Sequence, residues 1–170
     1  MVSSQDVAIA AAMNELNLDV KEVLEVLSVV KDSPADGKLK VRDVLASVNG
    51  TPITTGDQVV KAVQGTPSGD TVVFGVVRDG KSMDVTIKPE TKDGTQVIGI
   101  VPGPGFTFPF KVNVDIGEGI GGPSAGLLFS LGIYDTLTPG SLTDGKVVAG
   151  TGTIDPDGTV GPIGGIQQKI

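Results

Sequence analysis

SPADGKLKVRDVLASVNGTPI, residues 33–53, decides how the first half of this 170-residue chain is read. SPADGK is turn chemistry. VRDVLASV, 41–48, predicts a strand, and Asn49-Gly50 marks a tight turn. The pattern continues on both sides. VLEVLSVV, 23–30, is an apolar β-rich run ahead of the turn. TTGDQVVKAVQG, 54–65, predicts a helix: Thr54 or Thr55 can cap it, Val59, Val60 and Val63 share a face, and Gly65 ends it. GDTVVFGVVRDG, 69–80, and SMDVTIKPE, 82–90, predict a hairpin closed by Asp79-Gly80.

Composition narrows the chemistry. Hydrophobic residues make up 39% and aromatics only 4%, so the cores are built from Val, Ile, Leu and Ala. The net charge of −7 argues against a nucleic-acid face and against a polybasic membrane patch. There is no cysteine and no histidine. Disulfides, thiolate catalysis and the usual zinc sites are therefore excluded. No apolar run reaches the roughly 18 residues of a membrane span. MVSSQDVAIAAAMNELN lacks a basic start and carries Asp6 and Glu15, unlike a signal peptide. Ser3 or Ser4 can cap a helix there, with Val7, Ala11 and Leu16 on one stripe. Residues 1–19 are read as a short surface helix.

Strands, one helix and a hairpin, with SPA, D-V-L and N-G-x-x-I in that order, resemble a bacterial PDZ domain over residues 20–92. The resemblance implies an α+β fold, a PDZ-like β-sandwich or barrel with a helix, that binds an extended peptide beside a sheet edge. It implies a groove between a strand carrying Val23, Leu24 and Val26 and the helix face of Val59, Val60 and Val63. Val23 stands where a glycine is expected in the loop that receives a carboxylate. Arg42 stands where a glycine commonly precedes the aspartate. A small α/β spacer with a filled groove is the plainer alternative.

TKDGTQVIGIVPGPGF, 91–106, is rich in Gly, Pro and Thr, with VIGIV as a strand, and the domain boundary is expected near 90–95. FPFKVNVD, 108–115, and KVVAGTGTI, 146–154, are expected strands, the second buried. DPDGTVGPIGG reads as a turn, a short strand and the start of a helix. This order suggests an α/β or α+β second domain over 96–170.

GGPSAGLLFSLG, 121–132, is the candidate reactive stretch. Pro123 suits the first position of a helix, placing Ser124 in the first turn, where free N–H groups and the dipole favour a developing oxyanion. The backbone of Gly121, Gly122 and Pro123 would surround it. The helix that follows is apolar almost all round and is expected to be buried. A structural serine or a phosphate cradle are the alternatives, though no G-K-S or G-K-T occurs. Without histidine, the stronger available base is a neutral lysine, whose pKa must fall from about 10.4 toward 7–8. Lys169, in GGIQQK, sits near a helix N-terminus among Pro162, Ile163, Ile166 and Ile170, an environment that lowers a lysine pKa.

GPSAG followed by GTVGPIGGIQQK resembles the proteolytic domain of Lon-type serine peptidases, which use a Ser–Lys dyad. The resemblance covers about residues 96–170 and implies a partial α/β proteolytic domain. It maps the nucleophile onto Ser124, the base onto Lys169 and a supporting threonine, in GTGTID, onto Thr151. The acidic residue that Lon has before GPSAG is replaced by Gly121 and Gly122. A PDZ domain directly ahead of such a domain resembles the ATP-independent, membrane-anchored, extracytoplasmic proteases of bacteria. That implies unfolded or membrane-protein polypeptides as substrates, no nucleotide or nucleic acid, no metal or other cofactor, and an assembly that is often a ring. GGIQQKI supplies one turn of helix, so a sequence truncated at one or both ends, and weak activity of these 170 residues alone, are expected. The rival reading is a PDZ adaptor with an inert peptidase domain.

Overall fold

The computed structural model describes residues 4–113, 122–165 and 167. They form two compact units, one of Glu22–Gly105 and one of Val2–Lys21 with Phe106–Ile170. In chain order the elements are α1 (Ser4–Glu15), β1 (Lys21–Val29), β2 (Val44–Val48), β3 (Thr51–Pro52), α2 (Gly56–Gln64), β4 (Val72–Arg78) and β5 (Lys81–Ile87). They continue with β6 (Glu90–Lys92), β7 (Thr95–Val97), β8 (Ile100–Thr107), α3 (Gly126–Leu137), β9 (Thr153–Ile154) and β10 (Val160–Gly161).

The first unit is a sheet in the order β5-β4-β2-β1-β8, with β3 on β2. Local sequence chemistry accounts for much of it. Asn49 and Gly50 have φ of 48° and 76°, and Asp79 and Gly80 have 50° and 73°. Both pairs hold the left-handed conformations that a tight hairpin turn requires. The second turn sets β4 against β5 from Arg78↔Lys81 to Val72↔Ile87. Val72, Phe74 and Val76 alternate into the core and meet Leu24, Val26, Leu45, Val59 and Val63 there. At the start of α2 the Gln58 side-chain oxygen accepts the N–H groups of Thr54 and Thr55, at 2.7 and 3.0 Å. That satisfies donors a helix start leaves open.

Three features differ from the sequence reading of this unit. The strand expected over 41–48 begins only at Val44. Arg42 has φ of 76°, the left-handed region, which breaks a strand and explains why glycine suits that position. Second, the sheet runs past the boundary expected near 90–95. β8 fills the edge of β1 that would otherwise expose its hydrogen-bonding groups. Third, β8 lies very close to β1: a side chain at Gly103 would collide with Leu27, and one at Gly105 with Glu25.

In the second unit α1 packs on α3 around Ile9, Ala12, Met13 and Ile133. The short surface helix expected at the N-terminus is instead buried: Ala8, Ala10 and Met13 are 0% exposed. Six consecutive small or apolar residues, 8–13, cover every face of that helix, the pattern of a buried one. Conversely, α3 was expected to be buried and is open on one side, with Leu131 43% exposed. Residues 108–113 form no strand, and 114–115 lie outside the described residues. The buried strand expected over 146–154 shrinks to Thr153–Ile154, and Val147 is wholly exposed. A strand needs a partner for each row of backbone groups. Among the described residues only β10 pairs with β9, over two residue pairs.

Candidate functional site

The first candidate site is a cleft between α2 and β8. Val97-Ile98-Gly99-Ile100 turns the chain from β7 into β8. Its carbonyls are anchored: Ile98 O accepts from Ala35 N at 3.0 Å and Gly99 O from Val30 N at 2.8 Å. Gly99 has φ of 77°, and a side chain there would run into Ser33. Both the backbone angle and the close approach demand glycine. Beyond this turn lies a cavity of about 220 Å³, walled by Val59, Val60, Val63 and Gln64 of α2 and by residues 96–100 and Pro102. No charged residue lines it. Val59 and Val63 are buried, while Val60 is 44% exposed and forms the accessible wall.

The helix residues expected to line a groove thus stand together at this cavity. The strand residues do not join them. Leu24 and Val26 are core residues on β1, an interior strand between β2 and β8. Val23 and Leu24 border a different cavity, of about 580 Å³, with residues 53–56, Gly103 and Pro104. The strand beside α2 comes from later in the chain. The signal for it was V-I-G-I, a glycine between apolar residues, at 97–100 rather than at Val23.

The second candidate site is the turn that opens α3. Gly122 has φ of 97° and Pro123 starts a 3-10 turn, Pro123–Ala125, that holds Ser124. Segment 151–154 crosses this turn. Thr151 Oγ donates to Ser124 O at 2.9 Å and Gly152 N to the same oxygen at 3.0 Å. Leu127 N donates back to Gly152 O at 3.1 Å. Gly126 makes the crossing possible, because a side chain there would press on Ile154. Ser124 and Thr151 are therefore brought together from 27 residues apart. Lys169 and Gly121 lie outside the described residues.

The oxyanion expectation needs a correction. Pro123 has no N–H to donate. Ala125 N donates to Gly122 O at 3.2 Å and Gly126 N to Pro123 O, so the donors just after Ser124 serve the fold. Among the described residues no cluster of three His, Cys, Asp or Glu could hold a metal. No helix among them is long and apolar enough to cross a membrane.

Residues 8–88 match the PDZ domain family. Over 75 residues in that region the chain is 39% identical to a probable periplasmic serine endoprotease, DegP-like, of Ectopseudomonas mendocina. That alignment covers 42% of this chain and 16% of the relative, so the chain spans about a sixth of the relative's length. Among solved structures, the PDZ domain of an SdrC-like protein from Listeria innocua is 29% identical. It covers 47% of this chain and 92% of its own, with a TM-score of 0.43. The corresponding domain from Listeria monocytogenes is 27% identical over 47% and 86%, also at 0.43. The chain has a PDZ-like fold of strands and helices, α+β in class. Ser124 and Thr151 lie beyond the matched residues.

Proposed function

We propose that the chain recognises the C-terminal residues of polypeptides in the cleft between α2 and β8. The observation that carries this reading is the Gly99 turn at the head of an apolar, uncharged cavity beside an edge strand. A peptide can extend the sheet along β8, its carboxylate at the turn and its last side chain among Val59, Val60 and Val63. Val60→Asp tests it. A carboxylate on that wall repels the peptide's own carboxylate and spoils the apolar contact. Binding of peptides ending in an apolar residue falls at least about tenfold, while stability changes by about 0.5 kcal/mol or less, as for an exposed position. Unchanged binding would rule out this cleft.

A finer reading adds catalysis: an ATP-independent serine endopeptidase with a Lon-like Ser–Lys dyad, whose PDZ domain selects or gates substrates. Two observations favour it. The GPSAG turn and the GTGTID segment meet in space, through Thr151 and Ser124. The DegP-like relative, matched only over the PDZ region, is described as a serine endoprotease, which agrees with a protease and says nothing of the dyad. In this reading neutral Lys169 accepts the Ser124 proton as Oγ attacks a peptide carbonyl, then protonates the leaving amine, and water releases the acyl-enzyme. Thr151 Oγ, already donating to Ser124 O, keeps lone pairs that can accept from the lysine amine. Substrates are unfolded or membrane-protein polypeptides, and the setting is the extracytoplasmic face of a bacterial membrane. The relative's periplasmic description agrees with an extracytoplasmic place.

A further inference from the structure

We infer that the cleft between α2 and β8 reads only a short chain end, about three residues, because both its backbone donors and its space run out at Pro102. This rests on the peptide-binding reading above and adds a limit to it.

Strand backbone groups alternate between the two edges of the strand. Val26 N donates to Asp43 O and Arg42 N to Val26 O, so Val26 faces the β2 side. Its neighbours Glu25 and Leu27 therefore face β8, where they stand against Gly105 and Gly103. Just outside the two strands, Gly99 O also accepts from Val30 N, past the end of β1. The odd-numbered residues of β8 thus spend their backbone groups on β1. Ile100, Pro102 and Pro104 turn theirs to the open edge, which no strand among the described residues covers. Of these three only Ile100 has an N–H, since proline has none. An added strand finds a donor and an acceptor opposite Ile100. Opposite Pro102 and Pro104 it finds acceptors alone. Proline at such positions is also how sheets stop unwanted edge pairing.

Gly56, the first residue of α2, lies against Pro102: a side-chain carbon built there would be 3.4 Å from both Pro102 Cγ and Pro102 O. Helix and strand meet at this point. Pro102 ends the lining of the 220 Å³ cavity, and Gly103 and Pro104 belong to the 580 Å³ cavity on the other side of the contact. A peptide following β8 from the Gly99 turn meets this pinch where the donors cease.

Calorimetric titration of the 170-residue chain with peptide pools of three, five and seven residues tests the limit. Every pool carries a free carboxylate and ends in Val, Leu, Ile, Ala or Phe. The five- and seven-residue pools bind within about twofold of the three-residue pool. Pro102→Ala with Pro104→Ala restores two donors and removes the Pro102 Cγ that abuts Gly56, and the seven-residue pool then binds roughly tenfold tighter than the three-residue pool. Parent affinity that climbs tenfold or more from three residues to seven would overturn the limit alone, as would a double variant with no gain from length. No binding by any pool would overturn the peptide-binding reading and the limit with it.

Discussion

Asp43→Ala lowers the stability of the first unit by about 3 kcal/mol, near the lower figure for breaking a buried ion pair. Asp43 is 1% exposed and Arg78 is 20% exposed at the side chain. Arg78 grips the carboxylate with two bonds of 2.6 Å, from Nε and Nη2. The Lys40 N–H adds a third at 2.8 Å, and Arg78 Nη2 also reaches Lys38 O at 2.8 Å. One carboxylate therefore ties the left-handed turn at Arg42, the start of β2 and the end of β4. Removing it leaves an arginine without its anion and a turn without its anchor. Burial by itself pushes the Asp43 pKa up. The hydrogen bonds and charges of Arg78 and Lys40 outweigh that and hold it below the ordinary carboxylate value. Its contribution is thus fully present above the unfolded value, about 3.9, and is lost as pH falls through the lower folded value. Urea titrations followed on the amide signals of β4 check both points. The gap between parent and Asp43→Ala is widest near neutral pH and narrows below about pH 4. A gap that widens on acidification would show that the pair opposes folding.

On the dyad reading, Ser124→Ala and Lys169→Ala each reduce proteolysis by the protein at least about a thousandfold, the scale on which members of a catalytic unit act. The assay uses an unfolded protein substrate without ATP. Each variant removes a whole catalytic function, nucleophile or base, so the double variant loses little more than either single one. A stability measurement on Ser124→Ala separates lost chemistry from lost folding; the backbone carbonyl of Ser124, which accepts from Thr151 and Gly152, is kept by alanine. Cleavage that survives Lys169→Ala would assign the base to another residue. Cleavage that survives Ser124→Ala would end the dyad reading.

The parts legible in the sequence are those whose causes are local. Asp79-Gly80 and Asn49-Gly50 carry their own turn geometry, and Gln58 caps α2 from within a few residues. The helix wall of Val59, Val60 and Val63 follows from helical spacing alone. The strand wall does not. Which strand lies beside α2 depends on β8 crossing back to β1 from far along the chain, a choice that no local pattern encodes. Gly99 was visible as a glycine among apolar residues, but its role appears only when Ala35 and Val30 fix the carbonyls on either side of it. The same limit explains the helices. α1 and α3 are both apolar on most faces, and only their packing partners decide that α1 is enclosed and α3 partly open. At Ser124 the motif was legible, whereas the crossing of segment 151–154 over it depends on long-range pairing.

The central claim is that a chain end binds at the Gly99 turn between α2 and β8, and amide chemical shifts on titration test it most directly. Two peptides of identical sequence are compared, one ending in a free carboxylate and one amidated. The account predicts that the free acid shifts the amides of residues 59–64 and 97–100, and that amidation weakens this at least about tenfold, as loss of a charge-assisted bond implies. Equal binding of both peptides, or shifts confined to the cavity beside Val23 and Thr55, would contradict it.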